Sequence, residues 1–239
     1  MSNWPRIAGL RVVMSWPEDS QFAPAPPPRG RGRMRLARFA GVCLSLGGAA
    51  AICVAVLAQQ HAPAPAASAA GAIGPAKTHG PVLHQSPPVS LAIPAIGVKS
   101  KLLHLGRNKD GSMQVPNLST SADKAAWYKY SVTPGQIGTS VIEGHVDSYR
   151  GPAVFFRLGA LKPGDHIDVT LADGITAVFH VTGVREYVKI KFPASTIYDP
   201  SESAALRVIT CGGDFDAATG HYLSSVVVYA SLASARHAP

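Results

Sequence analysis

Residues 166–184 read HIDVTLADGITAVFHVTGV, and this stretch decides the fold class. Its two halves have the length and the β-branched, apolar composition of short strands. Between them stands Asp173-Gly174, a dipeptide that favours the tight turn of a two-stranded hairpin. The stretch therefore predicts two antiparallel strands joined by a turn.

Similar short runs continue on both sides of this hairpin, separated by Gly and Pro. They are VSLAI (89–93), SVIEGHV (140–146), LRVITC (206–211) and VVVYASL (226–232). Their lengths and turn spacing are typical of an all-β barrel or sandwich. Only SADKAAWY (121–128) and GPAVFFRL (151–158) look capable of a helical turn or two. Residues 89–235 are therefore predicted to form one all-β domain.

The N-terminal part of the chain has a different composition. Residues 39–58, FAGVCLSLGGAAAICVAVLA, carry no charge and are as long as a helix must be to cross a bilayer. Arginines crowd the stretch just before them, within a chain of net charge +8. This asymmetry predicts a single-pass transmembrane helix in the cell membrane, with its N-terminus in the cytoplasm. Because Gly, Pro and Ala rather than aromatic residues separate the arginines, we expect membrane contact and no nucleic acid.

The segments around this helix are predicted to lack a core of their own. Residues 1–38 are expected to be a disordered basic cytoplasmic tail, and residues 59–88, rich in Ala and Pro, an extended extracytoplasmic linker. The all-β domain would then lie outside the cell. The alternative to a retained anchor is a cleaved signal peptide, because basic, apolar and small-residue regions follow in that order. A start at Met34 would favour that alternative.

Cysteine usage singles out one residue. Cys43 and Cys53 lie inside the apolar segment, so Cys211 is the one thiol of the predicted exported domain and cannot form an internal disulfide there. It closes the run LRVIT and precedes Gly212-Gly213, which places it at a predicted strand end. A buried structural cysteine is the alternative to a catalytic one. The glycines and the polar stretch after them favour an open, reactive site.

A nucleophilic cysteine needs a partner that promotes its thiolate. His145 is the best candidate, because it also follows a predicted strand and stands beside a glycine. His180 fits a packed or surface strand position, and His166 follows a turn. Two strand ends, each with a reactive side chain next to glycine, are expected to meet at the mouth of a barrel.

Four longer stretches together resemble the sortases, most closely the class F branch of actinobacteria. They are LAIPAIGVKS (91–100), AAWYKYSVTPGQIGTSVIEGHVDS (125–148), GPAVFFRLGALKPGD (151–165) and ITCGGDFDAATGHYLSSVVVYA (209–230). The resemblance covers about residues 89–233 and implies an eight-stranded β-barrel. It also implies that Cys211 is the nucleophile and His145 its acid/base partner.

The same resemblance implies an activity. Cys211 would attack a carbonyl within an LPXTG-like sorting motif near the C-terminus of a secreted protein, leaving an acyl-thioester. An amine of a peptidoglycan precursor would then take over the acyl group, which attaches the protein to the cell wall. This scheme needs no metal or organic cofactor.

The sequence departs from the family at a third position. Sortases generally carry an arginine on the strand after the cysteine strand, but HYLSSVVVYA (221–230) contains none. Arg207, Arg150 and His221 are alternatives that the sequence leaves open. Asp147 is a further candidate, for orienting the imidazole of His145. The stretch GGDFDAATG (212–220) offers too few carboxylates for a calcium site and is interpreted as a polar turn.

Two other functions remain open at this point. The chain could be another cysteine peptidase or transpeptidase of the cell wall, although His145 precedes Cys211, whereas papain-like enzymes have the opposite order. It could also be an exported β-barrel binding module without catalytic activity, an interpretation that the missing arginine favours. The reactivity of the Cys211 thiol distinguishes these alternatives.

Overall fold

The structure, a computed structural model, describes residues 61–71 and 82–237. Within these residues the chain forms ten strands and one short α-helix. The strands are β1 Pro88–Ile93, β2 Val98–Leu105, β3 Ala125–Tyr128, β4 Gly138–Glu143, β5 Asp147–Ser148, β6 Gly151–Pro152, β7 His166–Leu171, β8 Ile175–Val188, β9 Ala204–Asp216 and β10 His221–His237, and the helix is α1 Ala194–Tyr198. Short 3₁₀ turns cover Ala67–Ala70, Pro94–Ile96, Leu158–Ala160 and Lys189–Lys191.

Eight of the strands close into a barrel, in the order β1-β2-β3-β4-β9-β10-β8-β7, and β5 pairs with β6 outside it. The pairs β2–β3 and β4–β9 are parallel, and the other neighbours are antiparallel. The all-β, eight-stranded prediction is confirmed. Since parallel strands share their direction, the carboxyl ends of β4 and β9 point to the same region of the barrel.

The hairpin that decides the fold forms as predicted. β7 and β8 pair from His166 with His180 to Thr170 with Thr176. Gly174 has a positive φ of 81°, which the turn requires and which glycine adopts without steric cost. The backbone amide of Ile175 donates to Oδ1 of Asp173 at 3.0 Å, which fixes the turn from the side.

Inward-facing side chains fill the barrel with hydrocarbon. The largest of them are Phe179, Phe155, Leu206, Ile142 and Leu158, each fully buried within one continuous cluster. Alternation along each strand sends every second residue into this cluster, so the apolar runs of the sequence become the barrel interior. Burying one such side chain stabilises the fold by roughly 1.5–3 kcal/mol.

Two local predictions are wrong. The stretch SADKAAWY, expected to be helical, contains β3, because Ala125–Tyr128 pairs with both β2 and β4 and is buried along its whole length. Pairing on both sides outweighs the helix propensity of alanine. The stretch Ala194–Tyr198, which no sequence pattern indicated, forms α1 and buries Ile197 completely.

Residues 62–71, here called the strap, pack against the barrel although the sequence places them in an extended linker. Ala69 is 1% exposed and belongs to the barrel's core cluster. Arg185 holds the end of the strap, donating from Nε to the Ala70 carbonyl at 3.2 Å and from Nη2 to the Gly71 carbonyl at 3.3 Å. Small side chains, and backbone carbonyl groups that accept hydrogen bonds from Arg185, let the strap pack against the barrel without a large core of its own.

The predicted membrane helix at residues 39–58 and the tail at residues 1–38 lie outside the described residues. Across the ranges 61–71 and 82–237, the structure contains no helix with the length and apolar character needed to cross a membrane. The domain boundaries at residues 38, 58 and 88 stay predictions.

Candidate active site

Cys211 lies within β9 and is 6% exposed. β9 continues to Asp216, so the prediction that the strand ends at the cysteine is wrong. β9 stays paired with β10 on both sides of Gly212-Gly213. The register of this pairing shifts between Tyr222 and Ser224, opposite the glycines. Gly213 has a φ of 72°, and a Cβ there would lie 2.7 Å from the side chains of Ser224 and Glu186. Gly213 therefore permits a backbone conformation and a close approach of the Ser224 and Glu186 side chains that a larger residue would prevent.

His145 lies just beyond the end of β4, as predicted, and is 5% exposed. The parallel register pairs Glu143 of β4 with Ile209 of β9. The strands stay joined beyond that pair, because Thr210 Oγ1 donates to the Gly144 carbonyl at 2.8 Å. His145 and Cys211 each stand two residues beyond this pair, His145 in the loop after β4 and Cys211 still within β9.

Gly144 is what allows the chain to turn in front of His145. A Cβ at this position would lie 2.6 Å from the Val154 side chain and 2.8 Å from the Phe155 ring. The amide of Phe155 in turn donates to the His145 carbonyl at 2.9 Å. The glycine before the histidine therefore permits the close packing that fixes the imidazole at the strand end.

The His145 imidazole is held in its neutral form. Burial lowers its pKa below the ordinary value, while the Pro116 carbonyl and the Asp147 carboxylate act in the opposite direction. Nε2 is 2.6 Å from the Pro116 carbonyl oxygen, which can only accept, so Nε2 carries the hydrogen. In the neutral tautomer, Nδ1 is then the basic atom of the ring.

Asp147 is engaged with a tyrosine. Its Oδ2 accepts a short hydrogen bond from the hydroxyl of Tyr222. Burial raises the pKa of Tyr222, and the hydrogen bond to the Asp147 carboxylate raises it further. The phenol therefore stays protonated as a donor, and Asp147 acts on His145 through its charge while its Oδ2 is engaged with Tyr222.

A lysine that sequence reasoning missed lies beside the thiol. Nζ of Lys189 donates to Sγ of Cys211 at 3.5 Å. Lys189 follows β8 directly, at the start of the 3₁₀ turn Lys189–Lys191. The two residues are 22 positions apart. No motif connects them, and only the placement of β8 and β9 on either side of β10 brings them together.

The three cations considered from the sequence are engaged elsewhere. Arg207 lies over the ring of Tyr229, with 4.6 Å between the guanidinium carbon and the ring centre, and donates to the Leu206 carbonyl. Arg150 lies over the exposed ring of Tyr149 at 5.2 Å. His221 pairs with Asp216 at the outer end of the β9–β10 hairpin. In that hairpin Asp216 accepts from Ala218 and Thr219 and so serves as a turn-forming residue.

The outer face of β4, β9 and β10 carries a second buried group, here called the outer cluster: Met113, Tyr128, Val141, Ile197, Ile209, Val227 and Tyr229. Glu143 shares the outer face of β4 with Val141 by alternation and is 1% exposed. Within the described part of the chain, neither carboxyl oxygen of Glu143 has a hydrogen-bond partner. Burial raises the pKa of Glu143 to about 8. The carboxyl is therefore mostly protonated at neutral pH.

A small cavity opens beside the thiol, and the strap forms part of its wall. Ala62, Pro63 and Ala64 line it together with Val146, Phe155 and Cys211. The strap thus lines the same cavity as Cys211. The backbone carbonyls of such a segment resemble those of a peptide substrate in chemistry and size.

The model of the Sortase domain family matches residues 91–233, which is more than half of the chain. Comparison with curated proteins finds no significant match.

Solved structures with a similar backbone include sortase A of Listeria monocytogenes, at 17% identity and a TM-score of 0.48, over 65% of this chain and 92% of that chain. SrtA sortase of Actinomyces oris shares 21% identity at a TM-score of 0.46, over 65% of this chain and 84% of that chain. Sortase A of Corynebacterium diphtheriae, in a lid-mutant form, shares 20% identity at a TM-score of 0.46, over 64% of this chain and 73% of that chain.

Proposed function

This chain belongs to the sortase family, and we propose that it is a class F-like cysteine transpeptidase that attaches secreted proteins to the cell wall. The single observation that carries the proposal is the parallel pairing of Glu143 with Ile209, because His145 and Cys211 each follow two residues later along the chain. The class F assignment rests on the sequence stretches quoted above. The substrates would be proteins with an LPXTG-like motif near the C-terminus.

The proposed reaction begins with transfer of the thiol proton to Nδ1 of His145. The lowered pKa of His145 supports this role, because a neutral imidazole can accept that proton. The thiolate then attacks the carbonyl carbon of the scissile peptide bond, forming a C–S bond. As the C–N bond breaks, the imidazolium returns its proton to the departing amine, which leaves an acyl-thioester on Cys211.

The second half of the proposed reaction reverses these roles. An amine of a peptidoglycan precursor attacks the thioester, and His145 takes a proton from that amine. The new amide bond forms as the C–S bond breaks, and the proton returns to the sulfur. Every proton and bond is accounted for by the two side chains and the two substrates.

We further propose that residues 39–58 anchor the enzyme in the cell membrane, with residues 1–38 in the cytoplasm and the barrel outside. The charge asymmetry around the apolar run supports this orientation. Anchoring would hold the enzyme beside substrates that are themselves at the membrane and raise their effective concentration. Protease added to intact cells should remove the barrel but spare the N-terminal tail, whereas protection of the barrel would contradict the orientation.

The activity is tested with the full chain in detergent micelles, an LPXTG-type peptide and a small primary amine. We expect a ligated peptide product from the unmodified protein and none from Cys211→Ala. His145→Ala should lower the rate by about 10²–10⁴-fold, the usual contribution of a general acid/base. His180→Ala is the matched control, since His180 is an exposed residue of β8. Equal rates for the two histidine variants would overturn the assignment of His145.

A further inference from the structure

We propose that Lys189 is the cation that activates Cys211, an inference that rests on the proposed function of this site. Its Nζ donates to the Cys211 sulfur at 3.5 Å. The side chain is half-buried and leaves the sheet at the first residue after β8. A cation at this distance favours a thiolate over a thiol.

The strand pairing around Cys211 explains why the positive charge beside the thiol comes from a residue in a turn. On β10 the residue opposite Cys211 is Ser225, which is fully buried and also pairs with Tyr187 of β8. A serine cannot supply a positive charge at this position. Lys189 stands two residues beyond Tyr187, and its four-carbon side chain spans the width of β10 to the sulfur.

The same ammonium group is placed for the next step of the reaction. When the sulfur attacks, the carbonyl electron pair moves onto an oxygen bonded to the carbon that the sulfur has joined. Lys189 can then donate an N–H to this oxygen while the proton needed by the leaving amine comes from His145. Lys189 keeps its proton throughout, so it acts as an electrostatic catalytic residue.

Other charged groups also face the thiol and must be held constant in a test. The exposed residue Glu186 lines the same cavity, and His145 follows the neighbouring strand β4. Tyr222, which donates to Asp147, interacts electrostatically with Cys211. None of them is changed by a substitution at Lys189. A comparison of Lys189→Met with Lys189→Arg therefore isolates the charge.

The experiment measures the rate at which iodoacetamide alkylates Cys211 between pH 5 and 10, in the full chain. Mass spectrometry of the tryptic peptide 208–236 separates this thiol from Cys43 and Cys53. In Lys189→Met, the pH midpoint should rise by about one to three units, the effect of losing an opposite charge at this distance. Lys189→Arg should restore most of the shift. Lys191→Met, in the same turn, should leave the midpoint unchanged.

An unchanged midpoint in Lys189→Met, or an equal rise in Lys191→Met, would overturn the proposal. Peptide ligation measured on the same samples separates the proposed transpeptidase function from the proposed role of Lys189. A shifted midpoint in a protein that never ligates peptides would reject the proposed function and keep the role of Lys189 at the thiol. An unshifted midpoint in a protein that ligates peptides would reject the role of Lys189 and keep the proposed function.

A second, independent observation concerns the strap, since Ala62, Pro63 and Ala64 line the same small cavity as Cys211. We infer that residues 62–71 form an intramolecular cover that must move before a peptide reaches this cavity. Two glycines, Gly159 and Gly183, make close contacts with the strap. A Cβ at Gly159 would lie 2.0 Å from the Pro63 carbonyl oxygen, and a Cβ at Gly183 would lie 2.8 Å from the Ala70 carbonyl oxygen. At both positions the three nearest atoms belong to the strap, so a methyl group there would disturb the strap before anything else.

The test compares Gly159→Ala with Gly183→Ala, and with a full chain in which residues 62–71 are replaced by Gly-Ser repeats of equal length. Gly159 lies under the part of the strap that lines the thiol cavity. Gly159→Ala and the replacement should therefore raise the alkylation rate of Cys211 by roughly tenfold, as expected when a minor open state becomes dominant. Gly183→Ala loosens the far end and should have a smaller effect. If the replacement leaves the alkylation rate unchanged, the strap is not a cover and the inference fails.

Discussion

The barrel interior and the outer cluster are both fully buried, but they bury different chemistry. The interior holds mostly hydrocarbon, from Phe179 and Phe155 to Leu206. Its one buried exception among the unpartnered polar groups of the described residues is the hydroxyl of Ser140, on the inner face of β4. The outer face of the same strands buries Glu143, Tyr198 and Arg207, each with a side-chain polar atom that lacks a hydrogen-bond partner within the described residues. Since an unsatisfied buried polar group costs free energy, the outer face is the less stable of the two regions.

The difference shows how one sheet can serve two purposes. Its inner face provides the stability that fixes β4 and β9, and its outer face carries the reactive groups that β4 and β9 bring together. Buried polar groups without partners, on the face of β9 that carries Cys211, are a typical cost of a functional surface. The following predictions test whether stability and chemistry are divided between the two faces in this way.

The largest stability change is expected inside the barrel. Phe179→Ala removes a fully buried ring from the interior cluster and should lower the free energy of unfolding by about 3–5 kcal/mol. Denaturant unfolding of the full chain, followed by tryptophan fluorescence, measures this loss. Ile190→Ala, at an 89% exposed position, is the control and should change the free energy of unfolding by less than about 0.5 kcal/mol. Similar losses in the two variants would contradict the assignment of the core.

A smaller, pH-dependent change is expected at Glu143. Its pKa is about 8 in the folded protein and 4.5 for a free side chain. The folded protein keeps this proton when the unfolded chain has lost it, so stability is full below pH 4.5 and falls as the pH rises towards 8. At about 1.4 kcal/mol per pH unit, the loss reaches a few kcal/mol.

Glu143→Gln removes this titration while keeping the shape of the side chain. The variant should be more stable than the unmodified protein at pH 8 and similar to it at pH 4.5. Unfolding free energies at the two pH values measure the difference. A variant whose stability falls with pH as steeply as that of the parent would show that Glu143 is not the titrating group.

The smallest effect is expected at Arg207. Its guanidinium lies over the Tyr229 ring, so Arg207→Met should change the free energy of unfolding by no more than about 2 kcal/mol. The rate of peptide ligation should stay within about threefold of the parent, because the charge beside the thiol comes from Lys189. A loss of ligation comparable with that of His145→Ala would instead make Arg207 part of the catalytic machinery.

Local patterns in the sequence predict those parts of the molecule that depend on neighbouring residues. Asp173-Gly174 predicts its hairpin, and the apolar runs predict the barrel strands, because turn chemistry and alternation act within a few residues. The same logic places His145 just past the end of β4. These features need no knowledge of distant contacts.

The remaining features depend on long-range pairing. Ala125–Tyr128 becomes a strand only because β2 and β4 flank it. Lys189 meets Cys211 across β10, and Ala69 finds its place in a core formed by residues far along the chain. No local spacing encodes these contacts. The sequence therefore offers Arg207, Arg150 and His221 in place of the arginine missing from β10. It gives no indication of Lys189 in the turn after β8.

The central claim is that Cys211 forms an acyl-enzyme, and its mass tests this most directly. The full chain is incubated briefly with an LPXTG-type peptide, quenched in acid and mapped by mass spectrometry. The account predicts an acyl group on the peptide that contains Cys211, released when a small amine is added before the quench. No adduct on Cys211 across a library of such peptides, or adducts on Cys43 and Cys53 alone, would contradict it.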